Sequence, residues 1–510
     1  MQTRRAVGFD NEKYLEAQSK AILERVERFG GRLYIEFGGK FLFDHHAARV
    51  FPGFHPNVKI RPLQRLVDQI EILFVVNAKD VQRGRVRGDW GLTYDLATLR
   101  TLDDLRQRGL PVSAVVITRF KAQPAAIQLK SRIEKRGVRV FTHYSVPGYP
   151  DDVDLVASVQ GFGVNTYIPT TRPIVVVAGA GPGSGKIETA LQQMWHEQQQ
   201  GVTAGFAKWE TFPVWDLPLE HPANLAYEAA TADIRDKNMI DPHHLAAYGV
   251  ETVNYNRDVE HFPILRALMD RIIGSDSELP RYKSPTDMCC NCASEGIVDD
   301  AVVREASRQE IARRFLRYHW ELTIGVENDE TVAIARRLME RVGVTVEDRP
   351  TVLPARAAAA QAERNPTKGW KGAFCGAAIE LPDGTVVTGM NSELLYSTAA
   401  AVINAIKVLA GIPERIHLLS PLVIRNLVGL NEVLGDGSDS LDIGDTLAAL
   451  SVSAAHNPAA EAAFDMLPVL KECEMHMTHV PTQADQAVLR KLGIMFTTDA
   501  RHTPGGYFLK

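Results

Sequence analysis

Ile174-Val-Val-Val-Ala-Gly-Ala-Gly-Pro-Gly-Ser-Gly-Lys-Ile187 runs small and β-branched residues straight into a glycine-rich turn, and Glu188-Thr-Ala-Leu-Gln-Gln-Met-Trp195 continues it as a helix. Strand, glycine loop and helix in that order make a phosphate cradle. Gly181, Gly183 and Gly185 carry no Cβ to block a close approach, loop N–H groups converge on an anion, and the helix N-terminus adds its positive dipole end. The residues expected to bind are therefore Gly181, Gly183, Ser184, Gly185 and Lys186, with Lys186 as the cationic arm.

The spacing is close to the P-loop pattern G-x-x-x-x-G-K-[ST] and departs from it twice. Ala180 stands for the first glycine, and Ile187 stands where a Ser or Thr would ligate Mg²⁺. Thr189, two residues on, lies about 200° round the helix and is a poor replacement. The motif thus points to a nucleotide or phosphorylated metabolite and weakens the case for Mg²⁺. The plainer alternative is a glycine turn that only lets a helix pack closely on a sheet.

Outward from this motif, strands and helices alternate. Strands are expected at residues 32–37, 70–77, 113–120, 138–143, 155–159 and 202–209, and helices at 11–30, 94–109 and 124–137. Alternation of this kind implies an α/β fold with a doubly wound, mostly parallel sheet that binds ligands beyond the carboxyl ends of its strands. Lys40, Lys79, Arg119 and Lys121 follow such ends and could meet an anion.

The chain has 510 residues, too many for one core. Composition divides it into a P-loop-like α/β domain over 1–225, a mainly helical region over 226–345 and a C-terminal α/β domain over 346–510, with 351–368 as the linker candidate. A net charge of −5 argues against nucleic acid as a partner. Five cysteines are too few for a disulfide framework, there is no signal peptide, and no apolar run is long enough to span a bilayer, so a cytoplasmic location is expected.

Residues 223–241 look helical and offer Asp233 and Asp241 as candidate catalytic carboxylates beside Lys186. Pro182-Gly-Ser-Gly-Lys186, Tyr227-Glu-Ala-Ala-Thr-Ala-Asp233, Asn238-Met-Ile-Asp-Pro242, Val253-Asn-Tyr-Asn-Arg-Asp258 and Tyr282-Lys-Ser-Pro-Thr-Asp287 together resemble an uncharacterised bacterial family known as domain of unknown function 1846. The resemblance covers nearly the whole chain and implies a cytoplasmic bacterial multidomain α/β protein with no assigned activity. The family's form carries Gly-Val-Asn after Asp-Met, where this chain has Met288-Cys-Cys-Asn-Cys292.

Apolar stripes at helical spacing fill 262–273, 299–320 and 329–342, and Arg304, Arg308, Arg313, Arg314 and Arg317 make the second strongly basic, a solvated or interdomain face. Residues 374–389 read as a hairpin around Pro382-Asp383-Gly384, followed by a helix over 398–411. That order resembles the opening of a cytidine-deaminase scaffold, but the helix lacks the Cys or His ligand and the Glu that its zinc chemistry needs. Cys289 to Cys292 has the spacing of half a zinc site with no second pair nearby, and His476 and His479 fall on opposite faces of a strand, so no metal site is expected.

The reading as a whole is a protein that binds a nucleotide or small phosphorylated ligand at a degenerate P-loop, with phosphoryl transfer or nucleotide hydrolysis as its chemistry. The alternative is a non-catalytic phosphate-ligand-binding or scaffold protein that forms a homo-oligomer. No nucleic acid and no membrane are expected as partners.

Overall fold

A computed structural model describes residues 6–87, 90–274, 279–434 and 440–502. The chain divides into two compact units: Val7–Ser307, and Arg308–Lys510 together with the residues before Val7. The composition boundary at 225/226 falls inside the first unit, and that at 345/346 inside the second.

The first unit is built on a seven-stranded sheet: β1 (Arg32–Phe37), β2 (Ile70–Asn77), β3 (Val112–Thr118), β4 (Arg139–Thr142), β5 (Ile174–Gly179), β6 (Ala204–Trp209) and β7 (Cys289–Cys290). Their spatial order is β7-β6-β1-β5-β2-β3-β4, and every pairing is parallel. All eight residues of β2 and the first five of β5 are buried, as expected where helices cover both faces of a sheet. α1 (Asn11–Phe29), α2 (Tyr94–Gln107), α3 (Pro124–Glu134) and α4 (Lys186–Gln199) supply cover.

From β5 the chain passes β1 to reach β6, while from β2 it moves the opposite way to β3. β5 and β2 are neighbours, so the topological switch point lies between their carboxyl ends, where a doubly wound sheet opens its binding crevice. The glycine loop follows β5 and Asn77 ends β2, so the sequence motif stands at that crevice.

Residues 155–159, expected as a strand, instead belong to a short helix Val153–Val156 and the bend after it. The Asp152 side chain accepts from Leu155 N–H, and this cap fixes helical geometry on an apolar run too short for periodicity to decide. Gln18, which interrupts the apolar stripe of α1, is fully buried: it donates to Cys290 O at 3.0 Å and accepts from Cys292 N at 3.2 Å, holding the edge strand β7 in place.

The second unit centres on a four-stranded sheet, β8 (Gly376–Glu380), β9 (Val386–Met390), β10 (Glu474–Met477) and β11 (Met495–Thr498), in the order β9-β8-β10-β11. β8 and β9 form the expected hairpin. The linker candidate at 351–368 is instead mostly a helix, Val352–Arg364, packed on that sheet. Its alanine run is a close-packing face: a Cβ at Gly376 would lie 2.2 Å from Ala355 O and 2.6 Å from Ala359 N. Arg313 and Arg314, read as a solvated or interdomain basic face, are buried and both grip Glu310.

Candidate functional site

The loop between β5 and α4 is anchored by its carbonyls. Gly183 O accepts from Asn77 Nδ2 at 3.2 Å and from the Arg119 guanidinium at 3.3 Å, and Ser184 O accepts from Thr118 Oγ1 at 2.6 Å. In a planar trans peptide the N–H of the next residue points opposite to the carbonyl. Tying these two carbonyls to the ends of β2 and β3 therefore turns the N–H groups of Ser184 and Gly185 the other way. Among the described residues, the N–H groups of Gly181, Gly183, Ser184, Gly185 and Lys186 donate to no protein group. Ser184 Oγ and Thr189 Oγ1 are buried without a hydrogen-bond partner.

Two glycines make this geometry possible. Gly185 has φ of 98°, a left-handed conformation that favours glycine, and caps α4. A Cβ at Gly181 would stand 2.4 Å from Tyr94 Oη.

Behind the loop lies a buried ionic chain. Glu36 on β1 and Lys208 on β6 are register partners on adjacent parallel strands, which places both side chains on one face. Lys186 Nζ is 3.5 Å from Glu36 Oε1, and Lys208 Nζ is 3.9 Å from Glu36 Oε2 and 3.6 Å from Glu210 Oε1. Lys208 also donates to Asp258 and, at 2.9 Å, to Tyr255 Oη. Burial opposes the Lys208 charge, but Asp258 first, then Tyr255, Glu36 and Glu210, hold its pKa well above the usual lysine value. Glu210 is pushed up to about 7 by burial; Lys208 opposes that rise, and Asp258 and Glu36 add to it. Burial raises the pKa of Glu188, in the first turn of α4, and Arg119 counteracts it.

Of the expected binding residues, Gly181, Gly183, Ser184, Gly185 and Lys186 form one continuous bend. Of the cations read at strand ends, Arg119 reaches it, with an unusual positive φ of 49°. Asp241 is fully buried and accepts from His243 N, His244 N and Thr286 Oγ1, so its oxygens serve to cap the helix Pro242–Tyr248. Asp233 is exposed in the short 3-10 helix Ala232–Ile234. The sequence reading missed Glu36, Lys208, Glu210 and Asp258. Its available signal was a charge inside an otherwise apolar strand, in Leu33-Tyr-Ile-Glu36 and Phe206-Ala-Lys208.

The donor set does not match the Mg²⁺ site of an ordinary P-loop: Ile187 offers no hydroxyl, and Glu36 already faces two lysines. Among the described residues, no group of three or more His, Cys, Asp or Glu could hold a metal ion, and no helix is long and apolar enough to cross a membrane. Cys289, Cys290 and Cys292 are free thiols, all with pKa values raised by burial. His476 is buried against Thr497 Oγ1 at 2.9 Å and Asp499 at 3.4 Å, and His479 is buried beyond the end of β10.

Fold and site together define a doubly wound α/β protein with an open-amide glycine loop at its switch point, joined to a second α/β unit. The chain belongs to the family described as "Domain of unknown function DUF1846", whose N-terminal model matches residues 7–343 and whose C-terminal model matches 347–508. It is similar to a "UPF0371 protein" of Clostridium botulinum (strain Langeland / NCTC 10281 / Type F), 47% identical over 497 residues, covering 97% of this chain and 98% of that one. A "UPF0371 protein" of Clostridium tetani (strain Massachusetts / E88) is 46% identical over the same shares of the two chains.

Proposed function

We propose that residues 181–186 bind the phosphate of a nucleotide or phosphorylated metabolite, with Lys186 as the cationic arm, in a cytoplasmic protein. The observation that carries this reading is the loop's polarity: its carbonyls are tied to Asn77, Thr118 and Arg119, while its N–H groups and the buried Ser184 Oγ have no protein partner. An array of uncommitted donors at a helix N-terminus is an anion site. Within this reading the carboxylate beside the phosphate is Glu36 rather than the capping Asp241.

Phosphoryl transfer or nucleotide hydrolysis is the chemistry such a loop can start, since that chemistry is mostly positioning and charge neutralisation. Ile187 favours the second reading, binding without turnover, because the hydroxyl that would hold Mg²⁺ is missing. The C-terminal hairpin and the helix after it keep the order of a deaminase scaffold without its zinc ligands, which supports a structural role for that unit. A homo-oligomer is part of the proposal. It is supported by the exposed apolar residues of the segment at Pro421–Val433 and just beyond, with Val433 84%, Leu434 72% and Leu422 62% exposed.

Thermal unfolding of the full chain with sulfate, phosphate and nucleotides, with and without Mg²⁺, tests the reading. A bound anion raises the midpoint with the logarithm of ligand excess over Kd, and Lys186→Ala removes the rise. Release of labelled phosphate from ATP that vanishes in Lys186→Ala selects the enzyme, and stabilisation without release selects the binder. If no anion shifts the midpoint, the reading fails.

A further inference from the structure

The carboxyl end of β6 leads into a carboxylate that is ion-paired but receives no hydrogen bond from the protein among the described residues. Glu210 follows β6 directly; its ion-pair partner Lys208 is 3.6 Å away, and 12% of its side chain reaches solvent. Among the described residues no group donates a hydrogen bond to it. A Cβ at residue 38 would lie 2.0 Å from Glu210 Oε2, so the carboxylate lies flat on the backbone at the end of β1, and glycine is what allows it there.

The Tyr227 and Tyr149 hydroxyls likewise have no hydrogen-bond partner among the described residues. Tyr227 neighbours Tyr255, with ring centroids 6.3 Å apart, and the Tyr255 hydroxyl accepts from Lys208, the ion-pair partner of Glu210. The ring of Tyr227 is already stacked on Phe212, with centroids 5.9 Å apart and planes 6° from parallel. Tyr255 is tilted against the same ring at 6.3 Å, so what Tyr227 offers a ligand is its hydroxyl. Asp258, by contrast, is taken up by Lys208.

An accessible carboxylate and phenol hydroxyls are the groups that recognise aliphatic hydroxyls, because each accepts an O–H hydrogen bond and the phenol can return one. We infer that the ligand seated on the glycine loop is a phosphorylated polyol or sugar, and that Glu210 and Tyr227 bind its hydroxyl groups. The inference rests on the phosphate reading and names the other half of the ligand.

Calorimetric titration of the full chain tests it with inorganic phosphate, glycerol 3-phosphate, ribose 5-phosphate, glucose 6-phosphate and AMP as probes. At least one of the three polyol phosphates should bind roughly ten- to a hundredfold more tightly than inorganic phosphate, the gain expected of hydrogen bonds to a charged group. Glu210→Gln and Tyr227→Phe, both nearly isosteric, should each remove most of that gain, read as the ratio of phosphate Kd to polyol phosphate Kd within the same variant. Lys186→Ala should weaken every probe. The inference is overturned if none of the three outbinds phosphate, if both variants keep the gain, or if AMP binds best and is indifferent to Glu210. If wild-type protein binds none of the probes, the phosphate reading falls first and this one with it.

Discussion

A buried ammonium is stable only beside compensating negative charge, and Lys208, with its side chain 1% exposed, faces Glu36, Glu210 and Asp258. Lys208→Met would leave those carboxylates facing one another in the interior. The expected loss is about 3–5 kcal/mol in urea unfolding near neutral pH. A variant as stable as wild type would mean that the cluster is not buried. Glu210 adds a pH signature. Its folded pKa of about 7 exceeds the unfolded value of a glutamate, so the folded state holds the extra proton between those two values. Its contribution to stability is therefore full in acid and is lost as pH rises toward 7. Asp485, buried and raised to about 6, acts with the same sign in the second unit. Buried neutral His143, lowered to about 4, acts oppositely, costing stability as pH falls below the usual histidine value. The measurement is thus a difference: stability of Glu210→Gln minus wild type should rise between about pH 5 and 7, and a flat difference would contradict the assignment.

The glycine loop works as a unit because its backbone angles cannot be adopted by most side chains. At Gly185, φ is 98° and an added Cβ would stand 3.0 Å from Thr118 Cγ2. Gly185→Ala should cost about 1–3 kcal/mol and also abolish stabilisation by sulfate, because the amide array turns with the peptide. Loss of stability with intact sulfate protection would show that the bend is not the anion site. In the second unit the helix Val352–Arg364 sits directly on β8, with backbone atoms within 2.6 Å of where a Gly376 Cβ would be. Gly376→Ala should therefore destabilise by about 1–3 kcal/mol with no effect on ligand binding at the loop. The same close approach explains why a run of alanines that looks like a linker is a packed helix.

For the complete chain, the prediction is assembly. Sedimentation velocity at micromolar concentration should give a species of at least two chains, each 56.4 kDa, and Val433→Glu with Leu430→Glu should dissociate it. A monomer of wild-type protein would remove the oligomer from the proposal. What could be read from residues alone follows a simple division. Long apolar runs such as Ile70–Asn77 and Ile174–Gly179 mark strands buried on both faces, and the glycine spacing after the second marks the loop, because both are local consequences of side-chain type. Short or ambiguous stretches were decided elsewhere: residues 155–159 by the Asp152 cap, and 351–368 by the sheet beneath them.

The amino-acid order by itself determined that the first unit is a doubly wound α/β fold and that 181–186 is its most chemically distinctive bend. Only the tertiary structure decided what surrounds that bend. Strand order brings Glu36, from the start of the chain, beside Lys208 and Lys186, and it leaves Asp241 to cap a helix. Periodicity and motif spacing report on a few consecutive residues, whereas the partner of a buried charge is set by register between strands far apart in the chain, a relation that no local pattern contains.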